Sequence, residues 1–268
     1  MSGGEIRAVE NALKLLSRNS WYIPGISDIK DLVLAEELRY LFKPLYNCEG
    51  RIIFNYHTAV ITINSNIENR EKIKFIFAHE LGHFYNERKS GNDNYAADNY
   101  IPYTTEDIRE KEANAFAVEL LMPSEMFNEG YANCSISKNL FGKITESFGV
   151  SLTAAILRYG SLAGYPVSII MTKNNYVEWN FVNEHFMFAK VPKGRRKPDI
   201  EEEGLYFWRK NNYRTFDNSS RIRESEYKQI NAREWYGHDS RCGYFDKLKL
   251  IDFEMPRYNS ALTVLWED

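Results

Sequence analysis

Two histidines four residues apart, with a glutamate directly after the first, form the pattern H-E-x-x-H as His79, Glu80, Leu81, Gly82 and His83. On an α-helix, positions i and i+4 lie one turn apart with Cβ atoms about 5–6 Å from each other, so both imidazoles can reach a single metal ion. Zinc suits that donor set, because it takes neutral imidazole nitrogen at about 2.0–2.1 Å. A catalytic zinc site uses three protein ligands and leaves a fourth position to water. His79 and His83 are therefore candidate metal ligands and Zn2+ is the expected cofactor. Glu80 is the candidate catalytic residue, placed to handle the protons of that water rather than to bind the ion. Other divalent metals can occupy similar nitrogen and carboxylate sites.

The segment carrying these residues reads as a helix with a capping box of Ser65 and Glu68 at its start and Ser90 and Gly91 as its stop. Ile73, Phe77, Leu81 and Phe84 make an apolar stripe, with His79 and His83 on the opposite side facing a cleft. Gly82 costs the helix about 1 kcal/mol relative to alanine, which suggests that something packs close there. A second helix, TEDIREKEANAFAVELLMP from Thr105, closed by Pro123, must supply the third ligand. With Ala113, Ala117, Leu120 and Leu121 buried, a rotation of about 100° per residue puts Glu110 and Asn114 on the same side. Glu112 and Glu119 point elsewhere, so Glu110 is favoured, Glu112 is the alternative, and Asp93, Asp98 and His57 are weaker candidates. Tyr56, His57, Tyr95 and Tyr103 could donate to an oxyanion, but none is assigned that role.

Around this pair of helices, residues 5–18, with Ile6, Val9, Leu13 and Leu16 as their apolar stripe, and residues 29–42 show helical spacing, and residues 51–64 alternate as two short strands broken near His57. Residues 92–104 lack periodicity and read as a loop. Residues 137–160 look like a helix-turn-helix pivoting on Phe148, Gly149, Val150 and Ser151. With Lys143 and Arg158 the only basic residues between Phe141 and Tyr165, a structural hairpin is favoured over a DNA reader. Beyond Gly164 the texture becomes β-rich: a hairpin over PVSIIMTKNNYVEWNF, and further strands at GLYFWRK and SALTVLW. Residues 190–203 read as a charged loop or linker, whose basic half, Lys193 to Lys197, offers charge to a phosphate or an acidic partner, with a solvated loop as the favoured reading.

Composition bounds the function class. In 268 residues, 44% hydrophobic and 15% aromatic content supplies a core, and a net charge of −3 argues against wholesale nucleic-acid binding. Cys48, Cys134 and Cys242 make no C-x-x-C pair, which fits a reducing compartment. The N-terminus has no apolar signal core, and no run approaches the roughly 18 apolar residues of a membrane span. A soluble cytoplasmic chain is expected, with no membrane partner.

HELGH at 79–83 followed by EKEANAFAVELLMP at 110–123 resembles the ImmA/IrrE family of metallopeptidases. The second motif discriminates, since H-E-x-x-H alone occurs in unrelated chains. The resemblance covers roughly Arg51 to Met122, and more weakly extends to about Gly160. It implies that Glu110, which leads the second motif, completes the zinc site. Taken with the residue patterns, it leads to an expected α+β fold: a zincin-like helical metallopeptidase core with a small β-sheet, followed by a C-terminal region that is β-rich by its own texture. The expected division is a zinc metallopeptidase domain at 1–164 and a β-rich domain of unassigned role at 165–268. The implied function is a zinc-dependent endopeptidase that cleaves a protein substrate such as a helix-turn-helix repressor, in mobile-element or stress regulation. The alternatives are a non-proteolytic transcriptional regulator with a structural zinc, which Glu80 disfavours because a structural site needs no general base, and a protein-interaction module in which the C-terminal β region captures another protein, a role compatible with catalysis.

Overall fold

A computed structural model describes residues 1–55, 57–89, 95–99, 107–132, 134–137, 139–198, 214–215, 223–224, 228–237, 239, 241, 247–255 and 258–267. The chain divides into two units, Met1–Glu129 with Ile144–Ser151, and Gly130–Lys143 with Leu152–Asp268. Helices and two sheets make the fold α+β.

The first unit begins with α1, Gly3–Arg18, opened by a capping box in which Ser2 Oγ accepts from Glu5 N and Glu5 Oε2 accepts from Ser2 N. Its buried face is Ala8, Asn11, Ala12 and Leu15, not the larger stripe that spacing favours, and Ile6 and Leu13 are exposed. Small residues on the inner face let neighbouring helices approach closely, so residue size rather than hydrophobicity chose the side. The second helix is shorter than expected: α2 spans Ile29–Ala35, and Glu37 at a φ of 61° turns the chain into a strand, β1, Arg39–Lys43. Tyr40 and Phe42 favour extended backbone, and β1 gains a parallel partner in β3, Ala59–Asn64.

β2, Gly50–Phe54, pairs antiparallel with β3 as the alternation predicts. Part of the segment read as a loop is a strand as well: β4, Tyr95–Asn99, pairs antiparallel with β2 and gives the order β1-β3-β2-β4. Its backbone hydrogen bonds to β2 outweigh a sequence that carries no strand signal. Asp93, Tyr103 and Tyr56 lie outside the described residues, as do the side chains of Tyr95 and Asp98.

On this sheet lies α3, Arg70–Lys89. It starts at Asn69 rather than at the Ser65 box, because Asn69 Oδ1 accepts from Lys72 N at 2.6 Å and its carbonyl accepts from Ile73 N. Phe77 meets the rings of Tyr40 and Phe42 edge-on, and Phe84 meets Phe54. Residues 76–84 are buried all round, so the helix has no solvent face at its middle. α4, Ile108–Leu121, packs on α3 and α1, and Pro123 caps the short α5, Ser124–Phe127. Glu119, expected to point away from the core, is buried and accepts from Ser124 N and Oγ.

α6, Leu140–Phe148, carries the chain from one unit to the other, and Lys74 of α3 donates to the Phe148 carbonyl at 2.7 Å. In the second unit, α7, Leu152–Leu162, buries Leu152, Ala155, Ile156 and Tyr159 and packs on β5, Val167–Lys173. β5 and β6, Tyr176–Val182, form the expected hairpin, with Asn174 and Asn175 at φ of 52° and 66° in its turn. Further strands are β7, Arg214–Thr215; β8, Arg223–Glu224; β9, Lys228–Ile230; β10, Leu248–Met255; and β11, Ser260–Trp266. The order is β6-β5-β11-β10-β8-β7, with β9 on β10. A short α8, Ala232–Tyr236, sends Trp235 and Tyr236 into a core with Phe186 and Phe188. GLYFWRK at 204–210 lies outside the described residues. The basic run is not wholly solvated: Lys197 is buried, with Nζ 3.3 Å from Asp252 Oδ1.

Candidate metal centre

The pairing of α3 with α4 decides where the chemistry-bearing side chains meet. Gly82 sits at the crossing: a β-carbon there would stand 2.9 Å from both Cα and O of Ala113, closer than real contacts allow. The close packing that Gly82 suggests in the sequence is thus present, and its neighbour is the backbone of α4. Glu110, Ala113, Asn114 and Ala117 follow one another at i, i+3, i+4 and i+7, so this row of α4 faces α3.

Three donor atoms converge at that crossing. His79 Nε2 and His83 Nε2 are 3.0 Å apart, His79 Nε2 is 3.1 Å from Glu110 Oε2, and His83 Nε2 is 3.3 Å from Glu110 Oε1. Two ligands each about 2.0–2.1 Å from a tetrahedral ion lie about 3.3 Å apart, so the spacing and the two-imidazole, one-carboxylate chemistry fit zinc. Among the described residues, His79, His83 and Glu110 are the group that could hold a metal ion. Glu112 is elsewhere: its carboxylate occupies the space beside Gly4 of α1. His57 is exposed and its backbone N–H donates to Asn55 Oδ1.

The electrostatics favour a cation. Burial pushes the His79 imidazole below its ordinary pKa, with the Glu110 carboxylate opposing, so the ring stays neutral and keeps a lone pair to offer. For Glu110, burial raises the carboxyl, but the hydrogen bonds to His79 and His83 outweigh it and hold the pKa down at about 2. Its place in the first turn of α4 adds the favourable end of the helix dipole.

Asn114 is the residue whose role sequence reasoning missed, although its side of the helix was read correctly. Its Oδ1 lies 2.9 Å from His79 Nδ1, and an Nδ1–H donated to it leaves Nε2 as the metal-facing lone pair. The signal was its position one turn after Glu110 on the same stripe. Glu80 is fully buried on α3, with its carboxylate against β2 at Gly50.

Residues 43–159 match the family model Peptidase_M78, described as the IrrE N-terminal-like domain. No curated protein matches the chain. Among solved structures, a Mycobacterium tuberculosis transcriptional regulator is similar with a TM-score of 0.59 and 12% identity, over 100% of this chain and 77% of that one. At that identity the likeness is one of fold. Motifs, donor geometry and the matched segment agree, and residues 43–159 of the chain are similar to the IrrE N-terminal-like domain.

Proposed function

We propose that the chain is a zinc-dependent endopeptidase of the cytoplasm that cleaves a regulatory protein, with helix-turn-helix repressors as the substrate class. The observation that carries this reading is the convergence of His79, His83 and Glu110 at a crossing where the same turn of α3 also holds Glu80.

His79, His83 and Glu110 would hold the ion. When bound, zinc supplies Lewis acidity, bringing a water toward ionisation near pH 7 and polarising a carbonyl. Glu80, on the same helical turn as the two histidines, takes the proton of the attacking water and hands it to the leaving amine. Asn114 holds the His79 ring in one orientation, and Glu110 keeps its charge at any pH where the imidazoles are neutral. The family match supports a peptidase or an IrrE-type regulator, and the choice between them rests on Glu80.

The test is incubation of the zinc-loaded chain with candidate repressor proteins beside Glu80→Gln, read by gel and mass spectrometry. Site-specific cleavage by the wild type, reduced roughly 10²- to 10⁴-fold in the variant, is expected for loss of a general base. Equal cleavage by the two would sink the assigned mechanism. Tight binding of a repressor without cleavage would establish the non-proteolytic regulator instead.

A further inference from the structure

Along β2, Gly50, Ile52 and Phe54 share the buried face, because side chains of a strand alternate. Ile52 and Phe54 fill that face with apolar bulk, and the alternation calls for a third such residue at position 50. A glycine stands there instead, paired with Ile63 of β3 and Asn99 of β4, in the interior of the sheet. Glycine weakens a strand interior, and in such places it marks a close approach by another group. The group is on α3: a β-carbon at 50 would overlap Ile76 Cγ2 and stand 2.7 Å from Glu80 Oε1, with Glu80 Cδ at 3.4 Å. The Glu80 side chain is fully buried, so the carboxylate cannot retreat into solvent.

We propose that Gly50 is a positioning residue for Glu80: the missing side chain at the head of β2 is the space that lets the carboxylate lie in its working place on the helix carrying His79 and His83. Gly50 does not touch substrate or metal in this scheme; it acts through Glu80 alone. A methyl group at 50 pushes the carboxylate off its place while the three ligand atoms, held by α3 and α4, keep theirs. The inference rests on the peptidase reading for its kinetic consequence, but the contact itself does not.

The experiment therefore has two arms. In the first, thermal unfolding of the metal-free full chain is measured for the wild type, Gly50→Ala, Glu80→Ala and the double variant. Gly50→Ala lowers the midpoint less in the Glu80→Ala background, since the carboxylate it would meet is gone. Equal losses in the two backgrounds overturn the contact. In the second arm, cleavage of a repressor substrate is followed with zinc content. Gly50→Ala loses roughly 10- to 100-fold in kcat, the scale of a misplaced catalytic group, with KM and zinc content near wild type. Repeating the kinetics in an Ile76→Ala background removes the competing overlap. If the loss in kcat persists there, it runs through Glu80; if activity returns, ordinary packing explains it and the proposal falls. A wild type with no Glu80-dependent cleavage defeats the peptidase reading and the positioning role with it, whereas coupling in the first arm would still stand and identify which of the two had failed.

Discussion

The carboxylates of Glu110 in the first unit and Asp252 in the second each meet polar partners from other elements, yet the partners differ in kind. Around Glu110 stand two imidazoles whose nitrogens converge on the carboxylate within 3.1–3.3 Å. Around Asp252 stand an ammonium, Lys197 Nζ, at 3.3 and 3.4 Å from its two oxygens, and the hydroxyl of Thr263, which donates to Oδ1. Lys197 and Asp252 have side-chain exposures of 4% and 1%, so this charge pair is closed and neutral by itself. The Glu110 cluster brings one carboxylate and two imidazoles together with their donor atoms 3.0–3.3 Å apart. Such an arrangement is completed by a cation, whereas the other has its cation built in. Buried polar clusters therefore divide into those whose donor atoms converge on one point and those in which an ammonium already meets the carboxylate.

The largest effect that separates the clusters is on metal content. His83→Ala and Glu110→Ala should each lose nearly all of roughly one equivalent of zinc, read by elemental analysis after gel filtration, because a three-ligand site does not survive on two. Glu112→Ala and Lys197→Met should retain it. Zinc loss in the Lys197 variant would break the contrast. Next in size is stability of the second unit: Lys197→Met alone strands a buried carboxylate and should cost about 3–5 kcal/mol in urea unfolding. The joint replacement Lys197→Met with Asp252→Leu should recover most of that, since a closed pair swaps for apolar bulk at little cost. Failure to recover would mean that the cluster does more than neutralise itself. Smaller is Asn114→Ala, expected to weaken zinc binding about 10- to 100-fold while leaving stoichiometry intact at saturating metal. The smallest is Gly82→Ala: forcing a methyl against the Ala113 backbone should destabilise by about 1–3 kcal/mol and carry a modest loss of metal affinity, because it spreads the two helices that bring the ligands together.

Much of this was legible in the chain. H-E-x-x-H states its own geometry on a helix, and the phase of EKEANAFAVELL favours Glu110 over Glu112. The β2–β3 and β5–β6 hairpins were readable from alternation and from Asn174 and Asn175. Elements stabilised by a partner strand were not: residues 39–43 read as the end of a helix and residues 95–99 as loop, because their extended form comes from pairing with β3 and β2. The outer stripe of α1 misled for a related reason, as Ala8 and Ala12 win the inner face by being small.

What the sequence determined by itself is local: which residue types recur at helical spacing, which side of α4 carries an acid, and that two histidines can share a metal. Periodicity suffices there because α-helix geometry is the same in every protein. Only the tertiary structure decided the rest. It set Gly82 against Ala113 so that Glu110 reaches both imidazoles, put Asn114 behind His79, buried Lys197 on Asp252 and left the space at Gly50 for Glu80. Those contacts join residues tens of positions apart, and no local pattern records a distance that only packing creates.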